Sequence, residues 1–307
     1  VTRIDWGAKD QGTGSMAVTG IFVGLVTLDM IYGTPTPLNA NEKRVANSVV
    51  LAAGGPATNA AVTCQHLGTS AHLCAALGCH PLSTVIRQDL TQQQVTFHDL
   101  MPALTDPPPF SSIVVTTESG DRAVISRNAV GRTPVEPVMP EAILNQADIL
   151  LVDGHQMAVG QRVAHQLRQR DVPVVVDAGS WKPGFETLLP LATVVIAAQG
   201  FRPPGCQSIP DAIAYLAALG IPHIAVTQGA APILMAQAGE IIPLTVPPCP
   251  VVDTLGAGDI FHGAFCHYFL AHGFQAALTL AIPIAAQACQ SFGTRAWLAS
   301  TSPNRLH

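Results

Sequence analysis

Residues 251–265, VVDTLGAGDIFHGAF, decide the reading of this chain. Val251 and Val252 lead into Asp253 and Thr254. Gly256-Ala257-Gly258 follows, and a helix opens near Asp259. Its text, DIFHGAFCHYFL, is apolar almost all round, so the helix must be buried. The first amides of such a helix lack partners within it and present the positive end of its dipole. Glycines in front of it let the backbone approach an anion with no Cβ in the way. Asp259 is the residue that needs explaining, because a carboxylate repels what an anion site attracts. It is either a helix cap or a general base beside the anion, accepting the proton of an attacking hydroxyl. Phosphoryl transfer asks for this combination of donors and base. Spacing alone leaves the two readings even.

Outward from this turn, apolar runs alternate with amphipathic ones. AVTGIFVGLV (17–26) reads as one buried parallel strand, with Asp29 just past its C-terminal end. Open α/β sheets bind ligands at that end of their strands. Residues 34–41 are loop, 43–51 strand-like and 52–55 a small-residue turn. A helix at 58–67 stops at Gly68. A strand at 71–77 and a helix at 82–94 follow. SSIVVTT (111–117) and RAVISR (122–127), joined by ESGD, read as a β-hairpin that interrupts the alternation. Strands then recur at 148–153, 172–177, 193–197 and 221–227, with helices at 160–170 and 211–219. A second hairpin at 233–246 precedes closing helices at 258–271 and 275–292. The pattern predicts one α/β domain over residues 1–307. Its central sheet is mostly parallel with helices on both faces, and a small β-sheet lid comes from segments near 33–51 and 95–128.

Composition bounds the function. The 307 residues are 48% apolar and only 11% charged, which implies a large core or a covered surface, and we expect a homodimer through the open lid edge. A net charge of −5 argues against a nucleic-acid partner. No apolar run reads as long enough to cross a membrane. Seven cysteines without a CxxC pair fit a reducing cytoplasm. VTRIDWGAKDQGTGSM shows no signal-peptide pattern and reads as a mobile extension.

The run D-T-x-G-A-G-D-x-F-x-G-x-F at 253–265 resembles the C-terminal signature of the ribokinase/PfkB carbohydrate kinase family. AGGPATNAA (53–61), ending at Leu67-Gly68, is similar to the family's N-terminal signature. The resemblance extends from Ala17 to about Trp297. It implies a ribokinase-like fold with a β-lid, and transfer of the γ-phosphate of Mg·ATP to a hydroxyl of a small sugar. Asp259 would be the base, and the amides of Gly256, Ala257 and Gly258 the anion hole. Asp29, Gly54, Gly55 and Asn59 match positions that hold sugar hydroxyls. Thr227-Gln228-Gly229 resembles the nucleotide turn, and Ile282 would border the adenine. Mg²⁺ would arrive with ATP, and no residue is assigned as its ligand.

Three departures stand out. The family's N-x-x-E motif reads Ala197-Ala198-Gln199-Gly200, the acidic residue after the third strand gives way around Cys79-His80, and the nucleotide turn continues Ala230-Ala231-Pro232. VGLVTLDMIY and VVDTLGAGD resemble ketohexokinase, which favours a ketose-like substrate. Lys43 and VTQG…DIFHG resemble the sulfofructose kinase branch, which binds an anionic substrate through a Lys, an Asn and an Arg. Lys43 fits the Lys, whereas Arg127 and His155 stand in the other places. Lys43 and Arg127 are therefore candidate substrate contacts as well as candidate solvated charges. A nucleoside kinase is one alternative, with Tyr32, Phe97 and Phe110 as the only nearby rings for base stacking. A non-catalytic nucleotide- or sugar-binding protein is the other, motivated by the eroded N-x-x-E.

Remaining constellations favour structural roles. His72-x-Cys74 and Cys79-His80 carry four potential zinc ligands, but a strand does not force the second pair back to the first. His262, His267 and His272 recur every five residues, which spreads them around a helix. Lys182, in DAGSWKPG, reads as a loop lysine. Gly12-x-Gly14 precedes no strand-to-helix turn, and neither HExxH nor GxSxG occurs.

Overall fold

The computed structural model describes residues 18–127, 129, 131–134, 139–237 and 239–300. The expected N-terminal extension lies outside these residues. The first apolar run does not make one strand but serves two sheets. β1 (Thr19–Val23) ends at Gly24, and β2 (Thr27–Thr34) starts a different sheet. The physical cause is Asp153. A Cβ on Gly24 would stand 2.2 Å from its carboxylate, which accepts the Leu25 amide at 2.9 Å. The chain turns there instead of extending, and Asp29 falls inside β2.

β3 (Ser48–Gly54) pairs antiparallel with β2 and runs through the residues expected as a turn. α1 (Pro56–His66), β4 (Ser70–Ala75), α2 (Ser83–Gln92) and β5 (Thr96–Asp99) follow. β6 (Phe110–Thr116) and β7 (Arg122–Arg127) form the first hairpin. Next come α3 (Glu141–Gln146), β8 (Ile149–Val152), α4 (Met157–Arg168), β9 (Val174–Ala178), α5 (Phe185–Leu188), β10 (Val194–Ala198), α6 (Ile209–Ala218) and β11 (His223–Gln228). β12 (Ala231–Gln237), β13 (Glu240–Leu244) and α7 (Ala257–Ala288) complete the fold.

The central sheet has the order β13-β12-β11-β10-β9-β8-β1-β4-β5, with only β12 running opposite to the rest. β5 sits at its edge and not in the smaller sheet. The smaller sheet has the order β3-β2-β6-β7. Strand alternation divides the core in two. Phe22, Leu151 and Ile196 pack with α1 and α7 on one face, while Ile21, Val23 and Val152 pack with α4 and α6 on the other.

α7 is 32 residues long and apolar enough to span a bilayer by length and composition, contrary to the reading from sequence. It is broken at Gly273, whose φ of 74° and ψ of −178° stop the helix, and much of it is core. Its first half crosses α1 at very short range. A Cβ on Gly263 would lie 2.3 Å from the Ala60 carbonyl oxygen. This crossing sets α1 and α7 side by side, so that residues near their N-termini can meet.

Candidate active site

Asp259 and Asn59 meet at the open end of that crossing. Asn59 Nδ2 donates to Asp259 Oδ2 at 2.9 Å. Asn59 Oδ1 accepts from Arg295 Nη1 at 3.1 Å, and Arg295 pairs with Asp89, also at 3.1 Å. Asp89 in turn accepts the Ala53 amide at 2.8 Å, at the end of β3. The base candidate is thus held by a chain of polar contacts reaching from α7 to the smaller sheet. Asp259 does not cap its own helix. Gly256 occupies the cap position with φ of 71° and no side-chain bond, so the carboxylate is free for other work. A Cβ on Gly256 would sit 2.9 Å from Thr294, whereas one on Gly258 would meet nothing within 4 Å. The helix start therefore opens to a space where the amides of Gly258 and Asp259 have no helical acceptor. Asp253 fixes the turn by accepting the amides of Leu255 at 2.8 Å and Gly293 at 2.9 Å.

Burial pushes the Asp259 carboxyl up to about 7, with the negative charge of Asp177 acting in the same direction against the Asn59 hydrogen bond. That is the range in which a carboxylate both accepts a proton and is free to do so near neutral pH. Asp177, the penultimate residue of β9, is itself raised, by burial above all, with His262 opposing. Asp153, after β8, is pulled down to about 2 despite its burial, by His155 and by amides including that of Leu25. It also accepts the Ala57 amide at 3.1 Å and so pins the start of α1. His155 is held above its ordinary range by Asp153, against burial, which is the largest influence and lowers it.

Across the cleft, Asp29 on β2 is buried and receives the Thr27 hydroxyl at 2.6 Å. Burial raises its carboxyl, while hydrogen bonds from Thr27 and Ser111 and the charge of Arg295 oppose the shift. Gly54 is required here, because a Cβ would stand 1.8 Å from Asp29 Oδ2. Gly55, with φ of 101°, would bring a Cβ to 2.4 Å from the Leu25 carbonyl oxygen. Asp29 and Gly54 on one side and Asn59, Gly256 and Asp259 on the other are thus linked through Arg295, with Gly55, Ala257 and Gly258 next to them in the chain.

Other residues singled out from the sequence do not gather with them. Lys43 lies in the exposed segment before β3. Arg127 ends β7 opposite Phe110, on the face of the strand away from Ser126. Ser126 is the residue near Asp29, through Ser111 at 3.2 Å. Thr227 is the penultimate residue of β11, and Gly229, with φ of 64°, turns the chain into β12. Ile282 is buried in the same core cluster as Ile233 and Met235. Gln199 and Gly200, in place of the N-x-x-E residues, are exposed at the end of β10.

Among the expected rings for base stacking, Tyr32 alternates with Ile31 to the opposite face of β2, and Ile31 packs inward beside Leu255 and Phe292. Phe97 lies on β5 under Arg87. Of the four potential zinc ligands given a structural reading, His72 bonds to His98 at 3.0 Å, Cys74 is fully buried and His80 accepts the Leu82 amide.

Sequence reasoning missed Asp153, Asp177, Arg295, Asp89 and Arg122, and gave His262 only a structural role. Arg122 Nη1 donates to Thr254 Oγ1, tying β7 to the anion turn. Asp153 and Asp177 did carry a signal, since both stand at C-terminal ends of parallel strands. Arg295 and Asp89 carried none.

The sequence model of the pfkB family carbohydrate kinases matches residues 21–301. A ribokinase of Bacillus subtilis is 22% identical over 284 residues, which cover 89% of this chain and 93% of that protein. A ribokinase of Arabidopsis thaliana is 24% identical over 69% of this chain, a match that spans 60% of the plant protein. Among solved structures, a ribokinase candidate from Agrobacterium tumefaciens superposes with a TM-score of 0.81 at 25% identity, covering 92% of this chain and 94% of that one.

Proposed function

The chain belongs to the pfkB family of carbohydrate kinases, and on that premise we propose that Asp259 deprotonates a hydroxyl of a small, ketose-like sugar as the γ-phosphate of ATP is transferred to it. The observation that carries this reading is the Asp259 carboxylate itself. It is not used as a cap, it is held by Asn59 at 2.9 Å, and it stands at a helix start where the Gly258 and Asp259 amides lack a helical acceptor, while the Ala257 amide donates to the Thr254 carbonyl at 3.3 Å. In the proposed reaction Asp259 takes the hydroxyl proton while the amides near Gly256, Ala257 and Gly258 receive the charge of the transferring group. Asp29 and Asn59 accept and donate to the sugar hydroxyls, and Gly54 leaves room for Asp29. Thr227, Gly229 and Ile282 are proposed to border the nucleotide. A related structure of Arabidopsis ribokinase is described with ribose and ATP, which makes ribose the first comparison sugar.

Mg²⁺ bound to ATP supplies charge neutralisation on the phosphates. Among the described residues no three carboxylates, histidines or cysteines converge as a ready ligand set. The polar residues lost from N-x-x-E would lower the affinity for the metal complex without removing the base.

The outer face of the smaller sheet motivates a homodimer. Ile125 is 81% exposed, Val49 56% and Leu51 49%, and their rows continue through Met30, Tyr32 and Val114. All seven cysteines are free thiols, in keeping with a proposed cytoplasmic location.

The test is to incubate the protein with Mg·ATP and a panel of ribose, fructose, other aldoses and ketoses, sulfo-sugars and nucleosides, following ADP. We expect sugar-dependent turnover that falls by about three orders of magnitude or more in Asp259→Asn with ATP binding retained. A mutant that keeps most of its rate removes the base assignment. Turnover with nucleosides alone would replace the sugar by a nucleoside.

A further inference from the structure

One buried titratable side chain in the cleft has no place in the reaction above. His262 lies one turn past Asp259 on α7, and its own residue is only 4% exposed. Its Nδ1 is 2.7 Å from the Gly258 carbonyl oxygen. A carbonyl only accepts, so that nitrogen is the donor. Its Nε2 faces the Ile196 carbonyl oxygen at 3.3 Å and Asp177 Oδ1 at 3.6 Å. The ring therefore spans from the anion turn to the ends of β9 and β10. The groups facing Asp259 are Asn59 from α1, Asp177 from β9, Asp153 from the turn after β8, and His262 from its own helix. Those facing Asp177 are His262, Asp153, Lys182 and His155.

We propose that Asp177 and His262 are a positioning pair for Asp259: His262 clamps the Gly258 peptide against the strand ends, and Asp177, 3.6 Å from its Nε2, orients the ring that does so. This inference rests on the reading of Asp259 as the base. It assigns neither residue a contact with the reacting atoms. The two act on Asp259 in opposite electrostatic directions, Asp177 raising its proton affinity and His262 lowering it. That opposition separates the pair from a merely structural role, because loss of packing would not move a titration in two directions.

The experiment is the pH profile of kcat/KM on the full chain, with whichever panel sugar turns over fastest and with saturating Mg·ATP. Asp177→Asn is expected to move the acid limb down by about one pH unit. His262→Ala is expected to move it up, and to lower kcat about tenfold with the sugar KM within about twofold. His262→Asn places an amide donor near the position of Nδ1. It should recover most of kcat while leaving the limb displaced upward. Acid limbs that stay at the wild-type position in both Asp177→Asn and His262→Ala overturn the proposal, as does a His262→Asn enzyme no faster than His262→Ala. Should Asp177→Asn not fold, the two His262 variants decide alone. Asp259→Asn, run in parallel, keeps the two failures apart. If it is inactive and the limbs do not move, only the positioning pair is wrong. If it keeps its rate, the base reading itself has failed.

Discussion

At the scale of single residues, the site stores free energy that folding alone would not spend. Asp259 has a carboxyl raised from an ordinary 3.8 to about 7, chiefly by burial. The folded chain therefore binds an extra proton between those values. Stability contributed by the protonated form is present below about pH 4 and is lost as pH rises toward 7. Asp259→Asn removes that loss. We expect the variant to melt a few degrees above the wild-type protein at pH 8, with the difference vanishing near pH 4, read by thermal denaturation across pH. A variant no more stable at pH 8 would mean that the carboxylate is better solvated than its surroundings indicate. On the proposed role of Asp259 as the base, activity and stability oppose each other at this position. The same logic explains Gly54, where the missing side chain makes room for Asp29 and leaves its carboxylate available.

At the scale of elements, the α1–α7 crossing controls the geometry. Asn59 and Asp259 lie 200 positions apart in sequence and meet because two helices approach through small residues. Gly263 against the Ala60 carbonyl is the tightest point of that approach. Gly263→Val must separate the helices, since the contact is backbone and cannot rotate away. Such overpacking costs about 1–3 kcal/mol. We expect a lower melting temperature, and a kcat that falls about tenfold or more as the Asn59–Asp259 bond lengthens. Retention of the wild-type kcat would show that the base tolerates displacement. The element boundaries were legible for most strands and helices, because apolar runs and Gly stops mark them. β2 was not legible. It shares one apolar run with β1, and only the carboxylate of Asp153, far off in sequence, makes the chain turn between them.

At the scale of the whole molecule, two sheets divide the work. The central sheet brings Asp153, Asp177 and the β11 turn to one edge, and the smaller sheet carries Asp29 above them. Its inner face packs Ile31, Ile113 and Val115 onto Leu255 and Phe292, which couples it to the anion turn. Its outer face is apolar and exposed, so it is the surface proposed for a second copy. Replacing both Val49 and Ile125 by Asp should convert a dimer to a monomer in light scattering while leaving the fold intact, since neither is buried. A wild-type protein that is already monomeric at micromolar concentration would remove the dimer.

The sequence by itself determined the class of fold, the glycine turn before α7, and which carboxylate follows it. These follow from local text: a Gly-Ala-Gly turn before an apolar helix, a Gly-Gly turn before another, and strands alternating with helices. It also showed the loss of N-x-x-E. What it could not determine was whether Asp259 is a cap or is available as a base, because that depends on what else reaches its oxygens. Only the tertiary structure decided against the cap, by placing Gly256 at the cap position and Asn59 at the carboxylate. It likewise decided that Asp177, His262, Arg295 and Asp89 surround the turn, and that Lys43 and Arg127 do not. The physical reason is range. Helix starts and glycine turns are written within a few residues, whereas burial, charge and hydrogen bonding at one carboxylate are set by whatever the fold brings beside it.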